Sequence, residues 1–201
     1  TGVHDWRGLF AKNGRHPETR VDNYAEWGRR GGWSSSSGRG WANLSNAPFR
    51  MYKRYTHEGG VATPLIVHWP AGVKAKGGLR HAPGHLIDIA PTCLAAAGLQ
   101  GKGMEGQSLL PVFARDQKQA RTLYWEHEGN RAVRKGDYKL VAIHNTPWEL
   151  YDMSKDRSEL KDLASAMPKK AAELRIAYEA WAKRVGAKPW DEVNVKKKKK
   201  E

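Results

Sequence analysis

Arg50, Lys53, Arg54 and His57 place four basic or imidazole side chains within eight residues, and Glu58-Gly59-Gly60 follows at once. Ammonium and guanidinium groups bind and neutralise oxyanions. A glycine pair behind them lets the chain turn sharply. An apolar run, Leu65–Val67, comes next and is closed by Trp69-Pro70. That order describes a loop that delivers a lysine to an anion and then drops into a buried strand. Lys53 is the candidate anion ligand; its alternative is a solvated surface lysine in a basic chain. His57 either lines the same pocket or makes a structural hydrogen bond in the turn. Glu58 reads as a residue that fixes the loop backbone.

Other side chains with chemical potential read more plainly. Cys93 is the single cysteine, so neither an intrachain disulfide nor a Cys-based zinc site can form. It lies in the apolar pattern Asp88–Gly98 and is expected to be a small buried hydrophobe. Asp88 is expected to cap that helix rather than to hold a metal.

The elements that would position these residues follow from periodicity. Residues 1–40 are rich in Gly, Ser and Arg and show no period. They read as a long irregular loop, with Trp6, Trp27, Trp33 and Trp41 suited to packing it on something. Leu65–Trp69 reads as a short buried strand. A helix is predicted from about Asp88 to Gly98, with Ile89, Cys93, Leu94 and Ala97 on one face. Residues 99–120 look irregular, anchored by Leu109–Phe113. Four short strands follow at 123–126, 131–134, 138–142 and 148–151, with Lys135-Gly136-Asp137 as a hairpin turn. A last helix runs from Pro168 to Gly186, with Leu174, Tyr178, Trp181 and Val185 in one stripe that should pack on the sheet.

Bulk properties set limits. With 201 residues the chain can form one sizeable domain or part of a larger one. No apolar run approaches the roughly 18 residues of a membrane span. The N-terminus shows neither an initiator Met nor a signal-peptide pattern, so upstream sequence is expected. The formal charge is +14, from 35 basic and 21 acidic residues. Such a balance attracts polyanions, nucleic acid and sulfated polysaccharide both being of that class. The Lys196–Lys200 run reads as a solvated, disordered tail.

Several motifs, in order, resemble the type I (formylglycine-dependent) sulfatases, the arylsulfatase family, and most of all its bacterial members. Asn46-Ala47-Pro48-Phe49-Arg50 with Lys53 resembles the family's Asn-Thr-Pro-Phe-Arg block and its lysine. Glu58-Gly59-Gly60 with Pro64-Leu65-Ile66 and Trp69-Pro70 resembles its strand entry. Asp88-Ile89-Ala90-Pro91-Thr92 with Ala97-Gly98, and then Gly106–Leu110, continue the series. Arg131–Arg134, Gly136–Lys139 and Glu149–Asp152 resemble the strands of the family's small subdomain. Asp156–Leu163 resembles its acidic segment, departing at Arg157 (a proline there) and at Asp162 (an asparagine). The resemblance runs from about Trp41 to Trp190, roughly three quarters of the chain.

That resemblance implies an α/β, alkaline-phosphatase-like fold. This chain would hold the end of the large α/β domain (41–120) and the C-terminal antiparallel sheet-and-helix subdomain (121–190). An active-site-side loop (1–40) would precede them and a basic tail (191–201) follow. It implies a sulfuric ester hydrolase in which Lys53 binds the sulfate. The formylglycine nucleophile and the calcium ligands would lie upstream, leaving this chain alone inactive, and no metal ligand is assigned within it. Asp22-Asn23 resembles the family's calcium pair only superficially, because Tyr24 follows and no apolar strand precedes. His127, Asn130 and Arg131 would sit in a loop at the active-site rim, in contact with substrate or in structural roles. The implied partner is a sulfate ester, a sulfated polysaccharide being one candidate, with no nucleic acid and no membrane span, in the periplasm or outside a bacterial cell. Two alternatives stand beside this: a non-catalytic polyanion-binding module, and a phosphoesterase of the same superfamily. If the Leu65–Val67 strand lacked its sheet neighbours, it would expose apolar surface and an unpaired edge.

Overall fold

Between Thr122 and Asp152 short runs rich in aromatic and aliphatic residues are separated by turn residues, and they fold as four consecutive strands. They are β1 (Thr122–His127), β2 (Asn130–Lys135), β3 (Tyr138–Ala142) and β4 (Glu149–Asp152), neighbours in that order. The computed structural model describes residues 38–74, 77–117 and 121–194. The two-residue connections Glu128-Gly129 and Gly136-Asp137 force antiparallel hairpins. Glu128 and Gly129 both adopt positive φ (52° and 80°), the twist that tight hairpins demand. β3 and β4 pair antiparallel, with Lys139 opposite Tyr151 and Val141 opposite Glu149.

Period 2 gives this sheet two different faces. On one, Val133, Leu140 and Leu150 pack with Leu174 and Tyr178. These last two belong to the long helix Pro168–Val185, which Gly186 ends in the left-handed conformation at φ +71°. Trp181 continues the stripe and stacks on Tyr124 at 5.0 Å, while Val185 is exposed. The opposite face carries Ala132, Val141, Tyr151 and Met153. Lys139 and Glu149 join it by register, and Lys139 is fully buried.

The described residues divide into two units. One takes residues 38–63, 124–133 and 138–194, and so holds the long helix and most of the sheet. In chain order its helices are α1 (Gly38–Ser45), the one-turn α2 (Glu58–Val61), the long helix, and a terminal turn at Trp190–Val193. Gly38–Gly40, expected in the long loop, therefore begin a helix, and Asp191–Val193, expected in the tail, complete a turn. Residues 1–37, with Trp6, Trp27, Trp33 and the Asp22-Asn23 pair, lie outside the described residues, as does the lysine run Lys196–Lys200.

The second unit takes described residues from 64–123 and 134–137. Its α3 (Ile89–Ala96) follows a 3-10 turn at Leu86–Asp88, and α4 (Leu110–Ala114) follows later in the segment expected to be irregular. Three expectations are corrected here. Leu65–Val67 has no regular secondary structure and pairs with no strand among the described residues, and Ile66 is 91% exposed. A strand exists only through its neighbours, and no described residue pairs with it. Cys93 is exposed rather than buried. The helix buries Pro91 and Thr92 instead of the Ile89-Cys93-Ala97 face. Asp88 does not cap α3 with its side chain. Its carboxylate accepts from both terminal nitrogens of Arg121, from Gln107 N–H at 3.0 Å and from His85 N–H at 2.7 Å. Burial opposes ionisation there, but the Arg121 and backbone hydrogen bonds outweigh it and hold the carboxyl below its usual range.

Candidate functional site: a lysine loop clamped on the polar face of the sheet

Arg50 to Gly59 forms a loop closed at its base. Gly59 N–H donates to the Arg50 carbonyl at 2.8 Å, and Tyr55 N–H to the Tyr52 carbonyl at 3.1 Å. The two glycines are required by close approach. A Cβ on Gly59 would lie 2.2 Å from the Arg50 and Met51 carbonyl oxygens, and one on Gly60 would lie 1.9 Å from that of Tyr55. Tyr52, Thr56, His57 and Glu58 are buried at the base, while Lys53 and Arg54 stand exposed at the tip. Met51 and Lys53 hold positive φ (64° and 39°). Side chains of that type rarely adopt such a backbone unless the surroundings impose it.

Charged contacts hold the residues on either side of these two. One oxygen of Glu149, Oε2, accepts from Tyr151 Oη at 2.6 Å and Arg50 Nη1 at 3.4 Å, and lies 3.1 Å from His57 Nε2. Arg50 also donates to Tyr151 Oη at 2.9 Å and to the Glu159 carbonyl at 2.7 Å. The His57 hydrogen bond leads the effects that push the Glu149 carboxyl down to about 2, against the opposing pull of burial. Burial and the Glu149 carboxylate push the Tyr151 phenol up.

A second cluster abuts the first. Lys139 Nζ lies 2.9 Å from Glu58 Oε1 and 2.9 Å from Glu159 Oε1. Glu58 N–H donates to Glu159 Oε2 at 2.8 Å, and Arg157 reaches the other Glu58 oxygen at 3.3 Å. Buried charges persist only when paired in this way. The acidic segment supplies its own supports: Asp156 accepts from Leu160 and Lys161 N–H, and Asp162 from Leu150 and Ala164 N–H.

The residues singled out in the sequence are distributed unequally about this loop. Asn130 is buried, and its amide nitrogen bridges the Arg54 carbonyl (3.2 Å) and the His127 carbonyl (3.0 Å). Its oxygen accepts from His144 N–H at 3.2 Å. Asn130 therefore joins the Lys53 loop to the β1–β2 hairpin, and its hydrogen bonds are spent on protein. Arg54 Nη1 adds a contact to Glu128 at 3.3 Å in the same hairpin. His127 is exposed at the end of β1. Arg131 is brought elsewhere: its guanidinium lies over Trp148 at 4.6 Å, and Trp148 packs with the helix-side cluster. Asn130 and Arg131 open β2 rather than lying in a rim loop, and period 2 turns Arg131 to the face opposite Asn130. His57 is fully buried and bonds to Glu149 on β4 rather than within its own turn.

Glu149, Tyr151, Lys139 and Glu159 were not picked out by sequence reasoning as supports of the loop. The available signal was a lysine and a glutamate at inward register positions of strands otherwise rich in Leu, Val and Tyr.

A family model described as "N-sulphoglucosamine sulphohydrolase, C-terminal" matches residues 49–183. An uncharacterized sulfatase of Schizosaccharomyces pombe is 32% identical over 160 residues, covering 70% of this chain and 29% of that protein. The N-acetylgalactosamine-6-sulfatase of Mus musculus is 33% identical over 118 residues, covering 56% of this chain and 22% of that protein. Among solved structures, Ps i-CgsB in complex with k-i-k-neocarrahexaose superposes with a TM-score of 0.62 at 25% identity. That match covers 70% of this chain and 34% of that one. The chain thus spans less than a third of the length of these two curated relatives.

Proposed function

Because this chain belongs to the sulfatase family, as its C-terminal portion, and shares the α/β, alkaline-phosphatase-like fold of its structural neighbours, we propose that it serves sulfate ester hydrolysis with Lys53 as the sulfate-binding residue. The observation that carries this reading is the match over residues 49–183, which takes in Lys53 and the buried pairs that hold its loop. A sulfate ester is surrounded by oxygens, and charge develops on them as the ester bond breaks. A fixed ammonium aimed at those oxygens stabilises that charge more than it stabilises the ground state. His127, exposed next to the same hairpin, is the residue we assign to the sugar side of the substrate.

The remaining chemistry of the family requires a formylglycine nucleophile and a calcium ion. The described residues do not fit calcium: no group of three or more His, Cys, Asp or Glu is placed to hold a metal ion. The buried carboxylates Asp88, Glu58, Glu149 and Glu159 are already committed to arginine, lysine or histidine. In this proposal both groups come from sequence outside this chain. The substrate class is a sulfated saccharide, consistent with the saccharide bound by the Ps i-CgsB relative. The proposed location is the periplasm or the exterior of a bacterial cell, where such polymers are met. No helix among the described residues is long and apolar enough to cross a membrane.

The test is an assay of the full-length protein on para-nitrophenyl sulfate and para-nitrophenyl phosphate. Cleavage of the sulfate ester in preference to the phosphate is expected. Cleavage of the phosphate alone would replace this reading with a phosphoesterase. Cleavage of neither, with retention on a sulfated polysaccharide resin, would replace it with a binding module.

A further inference from the structure

We infer that Glu149 is a positioning residue for Lys53, pinching the two ends of the lysine loop together on the polar face of the sheet. The inference rests on the proposed role of Lys53 and adds to it the means by which the ammonium is aimed.

The geometry is specific. Arg50 begins the loop and His57 ends it, three residues before and four after Lys53. Both side chains reach the same atom, Glu149 Oε2, at 3.4 and 3.1 Å. The backbone closes two residues beyond His57, where Gly59 N–H donates to the Arg50 carbonyl. Tyr151, two residues along β4, donates to the same oxygen and accepts from Arg50, so the carboxylate is held on the strand side as well. The tip residue then has little freedom: Lys53 sits at φ +39° between two anchored ends. His57 is fully buried and Arg50 partly so, hence neither end can slacken without uncovering a charge or an imidazole. A carboxylate whose bonds go to both ends of a loop fixes the distance between them. Displacement of a catalytic group by about 1 Å can cost roughly 100-fold in rate.

A residue that acts through Lys53 has no further effect once Lys53 is gone, and a double-mutant cycle on kcat/KM in the full-length protein reads this. Glu149→Gln keeps the side-chain shape and removes the charge. The expected result is a loss of about 10- to 100-fold in kcat/KM for sulfate release with Lys53 present. In the Lys53→Ala background, Glu149→Gln should cost less than about 2-fold, because the two defects share one cause. Equal losses in both backgrounds would overturn the positioning role while leaving Lys53 as a sulfate ligand. No loss with Lys53 present would overturn it too. An unchanged kcat/KM in Lys53→Ala alone would remove the sulfate-binding role first and the positioning role with it. If Glu149→Gln fails to give a cooperative thermal melt, Arg50→Gln takes its place in the cycle. Arg50 is the outer partner of the same pinch, and the same criteria decide.

Discussion

A carboxyl group taken out of water without partners is pushed toward its neutral form. Glu149 behaves in the opposite way, its pKa lying at about 2 against a usual 4.5, with the His57 hydrogen bond the largest cause. The sign of the consequence follows. The folded state binds this proton less readily than the unfolded chain does, so the stabilisation is fully present above pH 4.5 and is lost as pH falls toward 2. Its size is about 2–3 kcal/mol once the partial exposure of the carboxylate is allowed for. Glu149→Gln should therefore be less stable than wild type by about that amount above pH 4.5. The gap should close as the pH approaches 2, as read by urea unfolding across the acid range. A gap independent of pH would mean that the carboxylate is not held ionised by these partners. The turn that carries Lys53 was legible from residue type and neighbourhood, since a cationic stretch before a glycine pair is a local signal. Its supports were not. Glu149, Lys139 and Glu159 stand some 80 to 100 residues from their partners, and a charged residue in a strand reads locally as solvent-facing.

At the scale of elements, local periodicity was sufficient where the element is held by its own sequence neighbours. The β2–β3 hairpin turn at Gly136-Asp137 and the helix ended by Gly186 both appear where pattern places them. Leu65–Trp69 shows the limit: its apolar run resembles a buried strand, yet a ladder partner cannot be read from five residues. Asp88 shows another, since a helix-start aspartate was instead captured by an arginine 33 positions away. The Glu58-Gly59-Gly60 turn is legible in both senses, as a glycine signal and as a contact that tolerates no side chain. Gly60→Ala would drive a Cβ against the Tyr55 carbonyl. It should destabilise the protein by about 1–3 kcal/mol and lower sulfate release. Gly40→Ala is the matched control. It lies in α1 with nothing within 4 Å of an added Cβ, and should be neutral or slightly stabilising. Thermal melts of the two variants separate these outcomes, and equal melting shifts would contradict the close-approach argument.

At the scale of the whole molecule, the sheet has one apolar face covered by the long helix and one charged face covered by the lysine loop. A buried charged face is costly unless its charges are paired. Here the matching ties a small antiparallel sheet to a loop whose tip carries the candidate sulfate ligand. The second unit leaves Leu65, Ile66, Leu79 and Leu86 exposed, and its apolar helix α3 buries few of its own side chains. Family membership is shown over residues 49–183, and the proposal takes its nucleophile and metal from outside the described residues. The central claim is therefore best tested in the full-length protein at Lys53. With an aryl sulfate as substrate, Lys53→Ala is predicted to lower kcat/KM by about 100- to 1,000-fold, the scale of removing one group that stabilises developing charge. Lys53→Arg is predicted to restore part of that loss, and thermal stability should change little. Turnover by Lys53→Ala equal to wild type would contradict the account.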